Sequence, residues 1–151
     1  MTHEEWLRKA QTLHIEGRLF IEGRYVDALG GGSFDCINPS TGAVLARVAQ
    51  GEAKDVDAAV ASALAAWNDR RWRGQAPRAR LQVMNRWADL VEQHADELAL
   101  LETLDMGKPI SDMLNIDLPE VLRTIRYFAE CIDKVEGAVT HTAPGSLHMI
   151  L

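Results

Sequence analysis

The tightest constraint on this chain is a full stop in the middle of it. Leu98, Leu101 and Leu104 recur at helical spacing and form one apolar stripe that another part of the fold has to cover. Gly107-Lys108-Pro109 then ends that helix. Glycine supplies the left-handed residue, lysine sets a cation at the negative end of the helix dipole, and proline cannot continue the ladder. The chain therefore turns a corner at Gly107 and builds separately on either side of it.

Upstream, residues 4–14 predict a short helix with fraying ends, its Trp6, Leu7, Ala10 and Leu13 falling roughly on one face. Residues 18–21 and 24–27 are β-prone and flank Glu22-Gly23, a two-residue hairpin turn. A second strand pair, 33–37 and 43–50, is separated by Asn38-Pro-Ser-Thr-Gly42, a stretch dense in turn formers. The pattern then changes to helix over 52–68, with Val56, Val60, Leu64 and Trp67 spaced at three and four and acidic residues in the first turns. Residues 78–93 predict a second helix burying Leu81, Met84, Ala88 and Val91, with a kink or new cap at 94–96 before the leucine stripe. A third long helix is expected over 118–136, with Leu122, Ile125, Ala129 and Ile132 inward, Pro119 in its first turn and Gly137 as its stop. Residues 148–151 read as a strand that ends without a polar tail, which is unusual for an intact domain.

A chain of 151 residues fits one domain, able to bury about two-thirds of its unfolded surface. Hydrophobic residues at 47% and charged residues at 25% match globular averages and exclude disordered, collagen-like and coiled-coil classes. A net charge of −6 disfavours nucleic acid as a partner. Arg70, Arg71, Arg73, Arg78 and Arg80 around Trp67 and Trp72 therefore read as a solvated loop with anchoring tryptophans. The acidic start and the lack of a long apolar run predict a soluble protein, with no membrane partner, in a reducing, cytoplasmic compartment.

No constellation of catalytic type is visible. Cys36 and Cys131 have neither disulfide nor metal spacing and read as structural thiols. The five histidines do not cluster as zinc requires. Gly30-Gly31-Gly32 lacks the strand–glycine–helix grammar of a phosphate loop. Asp117 and Glu120 open the third helix, where the dipole alone explains them.

The order of motifs is more informative than any one of them. Leu19-Phe-Ile-Glu-Gly-Arg-Tyr-Val-Asp27, Asn38-Pro-Ser-Thr-Gly42 followed by Val44-Leu-Ala-Arg-Val48, Asp55-Val-Asp-Ala-Ala-Val60, Glu102-Thr-Leu-Asp-Met-Gly-Lys-Pro109 and Arg126-Tyr-Phe-Ala129 follow one another as in the NAD(P)-dependent aldehyde dehydrogenases. The resemblance covers residues 18–151. The Ile-Asp-Leu-Pro piece at 116–119 and Ala-Glu-Cys-Ile-Asp-Lys at 129–134 are most similar to the gamma-glutamyl-gamma-aminobutyraldehyde dehydrogenases.

This resemblance implies an α+β fragment: N-terminal β-hairpins plus three or four packed helices, the first part of the α/β coenzyme domain of that fold. Residues 1–137 would belong to that domain, as an arm (1–17), hairpins (18–50) and helices (52–137), and 138–151 would begin the oligomerisation arm. The family's chemistry is attack of a cysteine thiolate on the aldehyde, hydride transfer to nicotinamide, and hydrolysis of the thioester with help from a glutamate. An asparagine and a backbone amide hold the oxyanion.

None of those motifs occurs here: there is no Pro-Trp-Asn-Phe, no Gly-Ser-x-x-x-Gly turn, no Glu-Leu-Gly-Gly and no Gly-Gln-x-Cys. The chain alone is therefore expected to contain no catalytic and no cofactor-binding residue, to be inactive and to bind neither NAD nor NADP tightly. An aldehyde would be its substrate only in the intact enzyme. Two carry-overs remain from the resemblance. Asp117 and Glu120 match the mouth of the substrate tunnel, and Ile37 and Asp105 match backbone positions near a monovalent cation. A homo-oligomer through 138–151 is plausible because an unpaired edge invites pairing, and the alternative reading is a stand-alone helical interaction module without catalysis.

Overall fold

The computed structural model describes residues 1–150. Three antiparallel hairpins and a set of helices follow one another in chain order. The first helix, α1 (His3–Thr12), starts on a capping box rather than a frayed end: the Glu5 N–H donates to Thr2 Oγ1 and the Thr2 N–H to Glu5 Oε2. An ion pair of 3.2 Å from Lys9 Nζ to Asp96 Oδ2 ties it to the later helices.

Strands β1 (Leu19–Ile21) and β2 (Arg24–Val26) pair with Phe20 opposite Tyr25. Their turn residues Glu22 and Gly23 both have positive φ, 55° and 76°, as the mirror-image turn of a two-residue hairpin requires. Strands β3 (Ser33–Ile37) and β4 (Val44–Ala49) form the second hairpin, with a register shift between Cys36 and Ile37. Asn38 organises its turn. The buried Oδ1 accepts the Ser40 N–H at 2.8 Å, and the Asn38 carbonyl accepts the N–H of Gly42.

Helix α2 (Ala53–Asn68) is held at its start by a carboxylate. Asp55 is buried and accepts the N–H groups of Glu52 and Leu29, both at 2.9 Å, so it joins the helix to the loop after β2. The rest of α2 touches little beyond β1. The stripe that gives it a helical signature is uncovered: Val56, Val60 and Trp67 are each 59% exposed and Leu64 55%.

Helix α3 (Pro77–Gln93) begins on Pro77, as expected, and hands over at His94 to α4 (Ala95–Met106). Gly107, with φ of 78°, closes α4 in the left-handed conformation. A Cβ there would also lie 3.0 Å from Pro39 Cγ, so the corner is shaped by close approach as well as by backbone angle. The leucine stripe is only half-buried. Ala99 and Leu100 are the residues of α4 that are fully enclosed, while Leu98 and Leu101 face a trough described below.

Beyond the corner the helical run starts earlier and ends sooner than expected. It comprises α5 (Ile110–Asp112), a π-helical turn (Met113–Asp117) and α6 (Leu118–Cys131). Pro119 has no N–H and its ring crowds the carbonyl four residues back, that of Asn115, and the wider turn relieves this crowding. In that turn the Leu118 N–H reaches back five residues to the Met113 carbonyl. The helix stops before Gly137 because nothing covers Val135, which is 87% exposed, and because Lys134 Nζ takes the Glu130 carbonyl at 2.6 Å.

Helices α3 and α6 form the core. Ala88 and Ala129 are sealed from solvent and let the two helices approach closely, with Leu118 and Ile125 buried beside them. Arg126 spans the same pair, Nη2 donating to Glu92 Oε2 at 2.8 Å and to Asp89 Oδ1 at 3.3 Å. Strands β5 (Ala138–Thr140) and β6 (His148–Ile150) close the described chain as an exposed hairpin. Leu151, the last residue of the expected strand, lies outside the described residues.

Candidate functional site

The corner at Gly107 delivers Lys108 and Asp117 to one another. Lys108 Nζ forms an ion pair with Asp117 Oδ2, both side chains about one-third exposed. That carboxylate raises the Lys108 pKa above its ordinary value by accepting its hydrogen bond. The dipole explanation for Asp117 is thereby overturned. Helical structure begins at Ile110, so Asp117 lies a turn and more inside the run, and its partner is a lysine beyond a helix break. Glu120, one turn further along, is exposed and paired with Arg123 on its own helix. Both acids face a cation from the protein itself.

The second pair of sequence candidates sits where β3 meets the end of α4. Cys36 Sγ donates to Asp105 Oδ1 at 2.9 Å, and Pro39 lies against Gly107. Residues 36–39 and 105–107 are thus neighbours, and Ile37 adjoins the register shift that loosens the β3–β4 ladder. The carboxylate pushes the Cys36 thiol pKa up, helped by partial burial, which keeps it protonated and unreactive. Cys131 is half-buried near the end of α6.

Between β3–β4 and helices α3, α4 and α6 lies an open trough of about 590 Å³, walled by Trp87, Val91, Leu98, Leu101 and Val121, with Cys36 and Asp105 also on its lining. Its character is apolar. The thiol–carboxylate contact on its lining, Cys36 to Asp105, holds the thiol protonated and so supplies no activated nucleophile. A dinucleotide does not fit the glycine run. Gly30–Gly32 leads into strand β3 rather than a helix N-terminus, and the Glu52 carboxylate sits where a Cβ on Gly30 would point, which repels a pyrophosphate.

In the arginine loop, Arg73 stacks over Trp67 and donates to its carbonyl at 2.8 Å, and Arg71 pairs with Asp69 at 2.5 Å. These two cations are engaged locally. Among the described residues no group of three or more His, Cys, Asp or Glu is arranged to hold a metal ion, and no helix is long and apolar enough to cross a membrane. Sequence reading missed Lys108 as the partner of Asp117 and Cys36 as the partner of Asp105. The latter pair is separated by 69 residues and leaves no periodic signal.

Comparison with known proteins gives these elements a context. The model of the aldehyde dehydrogenase family matches residues 25–151. An NADP/NAD-dependent aldehyde dehydrogenase, PuuC of Escherichia coli, is 46% identical over 97% of this chain and 30% of its own length. An aminoacetaldehyde dehydrogenase of Pseudomonas aeruginosa is 43% identical over 100% of this chain and 30% of its own. In the crystal structure of gamma-glutamyl-gamma-aminobutyraldehyde dehydrogenase from Burkholderia cenocepacia, 97% of this chain superposes with a TM-score of 0.90 at 50% identity, on 29% of that protein. The chain spans about 30% of the length of the curated relatives it matches and corresponds to their N-terminal part. By sequence and by fold, it belongs to the aldehyde dehydrogenase family.

Proposed function

We propose that this chain supplies the N-terminal portion of an enzyme that oxidises an aldehyde to the acid with NAD or NADP as acceptor, and that the substrate is an aminoaldehyde of the gamma-glutamyl-gamma-aminobutyraldehyde type. The observation that carries the reading is the likeness, over essentially its whole length, to two bacterial relatives named for aminoaldehydes. Such substrates belong to putrescine breakdown and to a cytoplasmic enzyme.

In this reading residues 1–137 build part of the coenzyme domain, and 138–151 begin an arm through which subunits assemble. Ile37 and Asp105 offer backbone carbonyls to a monovalent cation at the β3–α4 junction. Asp117 and Glu120 stand at the tunnel mouth. Because Lys108 neutralises Asp117, the more exposed Glu120 is the acid left to attract the ammonium group of a substrate. Its partner Arg123 is exposed and its pairing contributes little, so a substrate cation can displace it.

The test is to join the chain at Leu151 to the downstream portion of the Escherichia coli relative and follow nicotinamide reduction. Turnover is expected with ammonium-bearing aldehydes in preference to neutral ones of equal length. Glu120→Gln should raise KM for the former and leave the latter unchanged. Equal KM effects on both substrates defeat the assignment of Glu120. The 151-residue chain by itself is expected to reduce neither cofactor above background.

A further inference from the structure

Charged side chains form a row across the start of α6. Lys108 meets Asp117, Glu120 lies three residues beyond Asp117, and Arg123 three beyond Glu120, a spacing that keeps neighbours on one helical face. Cations stand at the two ends and acids in the middle, so the row is neutral as a whole. Its two pairs are unequal. Lys108 and Asp117 are each about one-third exposed, and the charges of Glu102 and Asp112 add to the hold of Asp117 on the lysine. Arg123 and Glu120 are 75% and 55% exposed, and a pairing in such a setting is worth little. One pair is closed; the other is open to exchange.

A simple ammonium that displaces Arg123 from Glu120 only trades one ion pair for another. It leaves a bare guanidinium beside the new cation, and like charges repel. An α-amino-acid head group avoids this. Its ammonium takes Glu120, while its carboxylate, on the same carbon, takes the freed guanidinium, whose planar fork matches a carboxylate as no lysine does. One internal pair is exchanged for two, and no charge is left over. Lys108 does not compete for that carboxylate, because Asp117 holds it. The gamma-glutamyl group is such a head, since linkage through its side chain leaves both α-charges in place.

We propose that Arg123 is a specificity-determining residue, which together with Glu120 receives the zwitterionic head of a gamma-glutamyl aldehyde and ranks it above simple aminoaldehydes. The inference rests on the functional reading above, which stands Glu120 at the tunnel mouth. It separates the two substrate types for which relatives are named: aminoacetaldehyde carries an ammonium alone and makes no use of Arg123.

The test takes the joined enzyme and two aldehydes of one length, gamma-glutamyl-gamma-aminobutyraldehyde and its analogue without the α-carboxylate. Arg123→Gln is expected to raise KM for the first by about fivefold or more, with kcat unchanged. For the analogue KM should not rise, because the variant leaves Glu120 uncovered. Arg123→Lys should restore part of the loss. A change that is the same for both aldehydes, or no change for either, overturns the proposal.

A second readout needs no turnover. The butylamide of the gamma-glutamyl group carries the head and no aldehyde, and its affinity for the joined protein is measured by calorimetric titration beside that of its decarboxylated counterpart. Arg123→Gln should weaken the first by about fivefold or more and not the second. Lys134→Gln, in an exposed pair at the far end of α6, should alter neither. Equal affinities with and without Arg123 refute the assignment. Binding that depends on Arg123 in a protein that oxidises no aldehyde counts against the functional reading and leaves the head-group site standing; turnover indifferent to Arg123 does the reverse.

Discussion

Helices α2 and α6 look alike on paper and differ completely in the fold. Each carries apolar residues at intervals of three and four, and each would be drawn as amphipathic. Helix α6 lays Ile125 and Ala129 against Ala88 of α3, whereas α2 presents Val56, Val60, Leu64 and Trp67 to solvent. Spacing identifies a face that is built to be covered. It does not say whether the cover lies in the same stretch of chain. In α6 the apolar term does the holding; in α2 a single carboxylate, Asp55, does it.

The comparison breaks most readily at Ile125. Ile125→Ala removes a buried side chain from the α3–α6 contact and should cost about 3 kcal/mol in urea unfolding. Gly107→Ala places a Cβ at positive φ and 3.0 Å from Pro39, and should cost about 1–2 kcal/mol by the same assay.

Asp55 sharpens the contrast through pH. Two backbone N–H groups hold its pKa below the ordinary carboxylate value, so its contribution is complete above the unfolded pKa near 3.8 and is lost as pH falls through the lowered native one. Amide exchange at Leu29 and Glu52 should therefore quicken, after correction for intrinsic rates, only at strongly acidic pH. In Asp55→Ala it should quicken by about tenfold at neutral pH. Cys36, kept protonated by Asp105, should react with iodoacetamide at pH 8 several-fold more slowly than in Asp105→Ala, by mass spectrometry. The smallest effect belongs to Val60→Ala, within about 0.5 kcal/mol in the isolated chain. A cost there comparable to that at Ile125 would erase the distinction between the two helices.

What the sequence made legible is what local chemistry decides. The Glu22-Gly23 turn, the Asn38–Gly42 turn, Pro77 at the start of α3 and Gly107 at the end of α4 are all where residue type puts them. The π-helical turn was hidden. Pro119 reads equally well as the first turn of a new helix or as a strain inside an older one, and only the packing of α5 and α4 before it settles which. Asp117 was misread for the same reason, since a carboxylate near an apparent helix start suggests a dipole partner, while its actual partner lies across a glycine–proline corner. The leucine stripe from Leu98 was legible as a face but not in its degree of cover, because half of its cover is a trough.

The π-helical turn at Met113–Asp117 also absorbs a residue. It takes one residue more than an α-helical turn for nearly the same rotation, so the faces of the run downstream keep the phase they would have in an unbroken helix. Deleting any single residue between 113 and 117 would let the run close into regular helix with Ile125 and Ala129 still turned toward α3. What the deletion removes is the widened backbone ahead of Pro119, so this segment tolerates a change of length that a regular helix packed in the core would not.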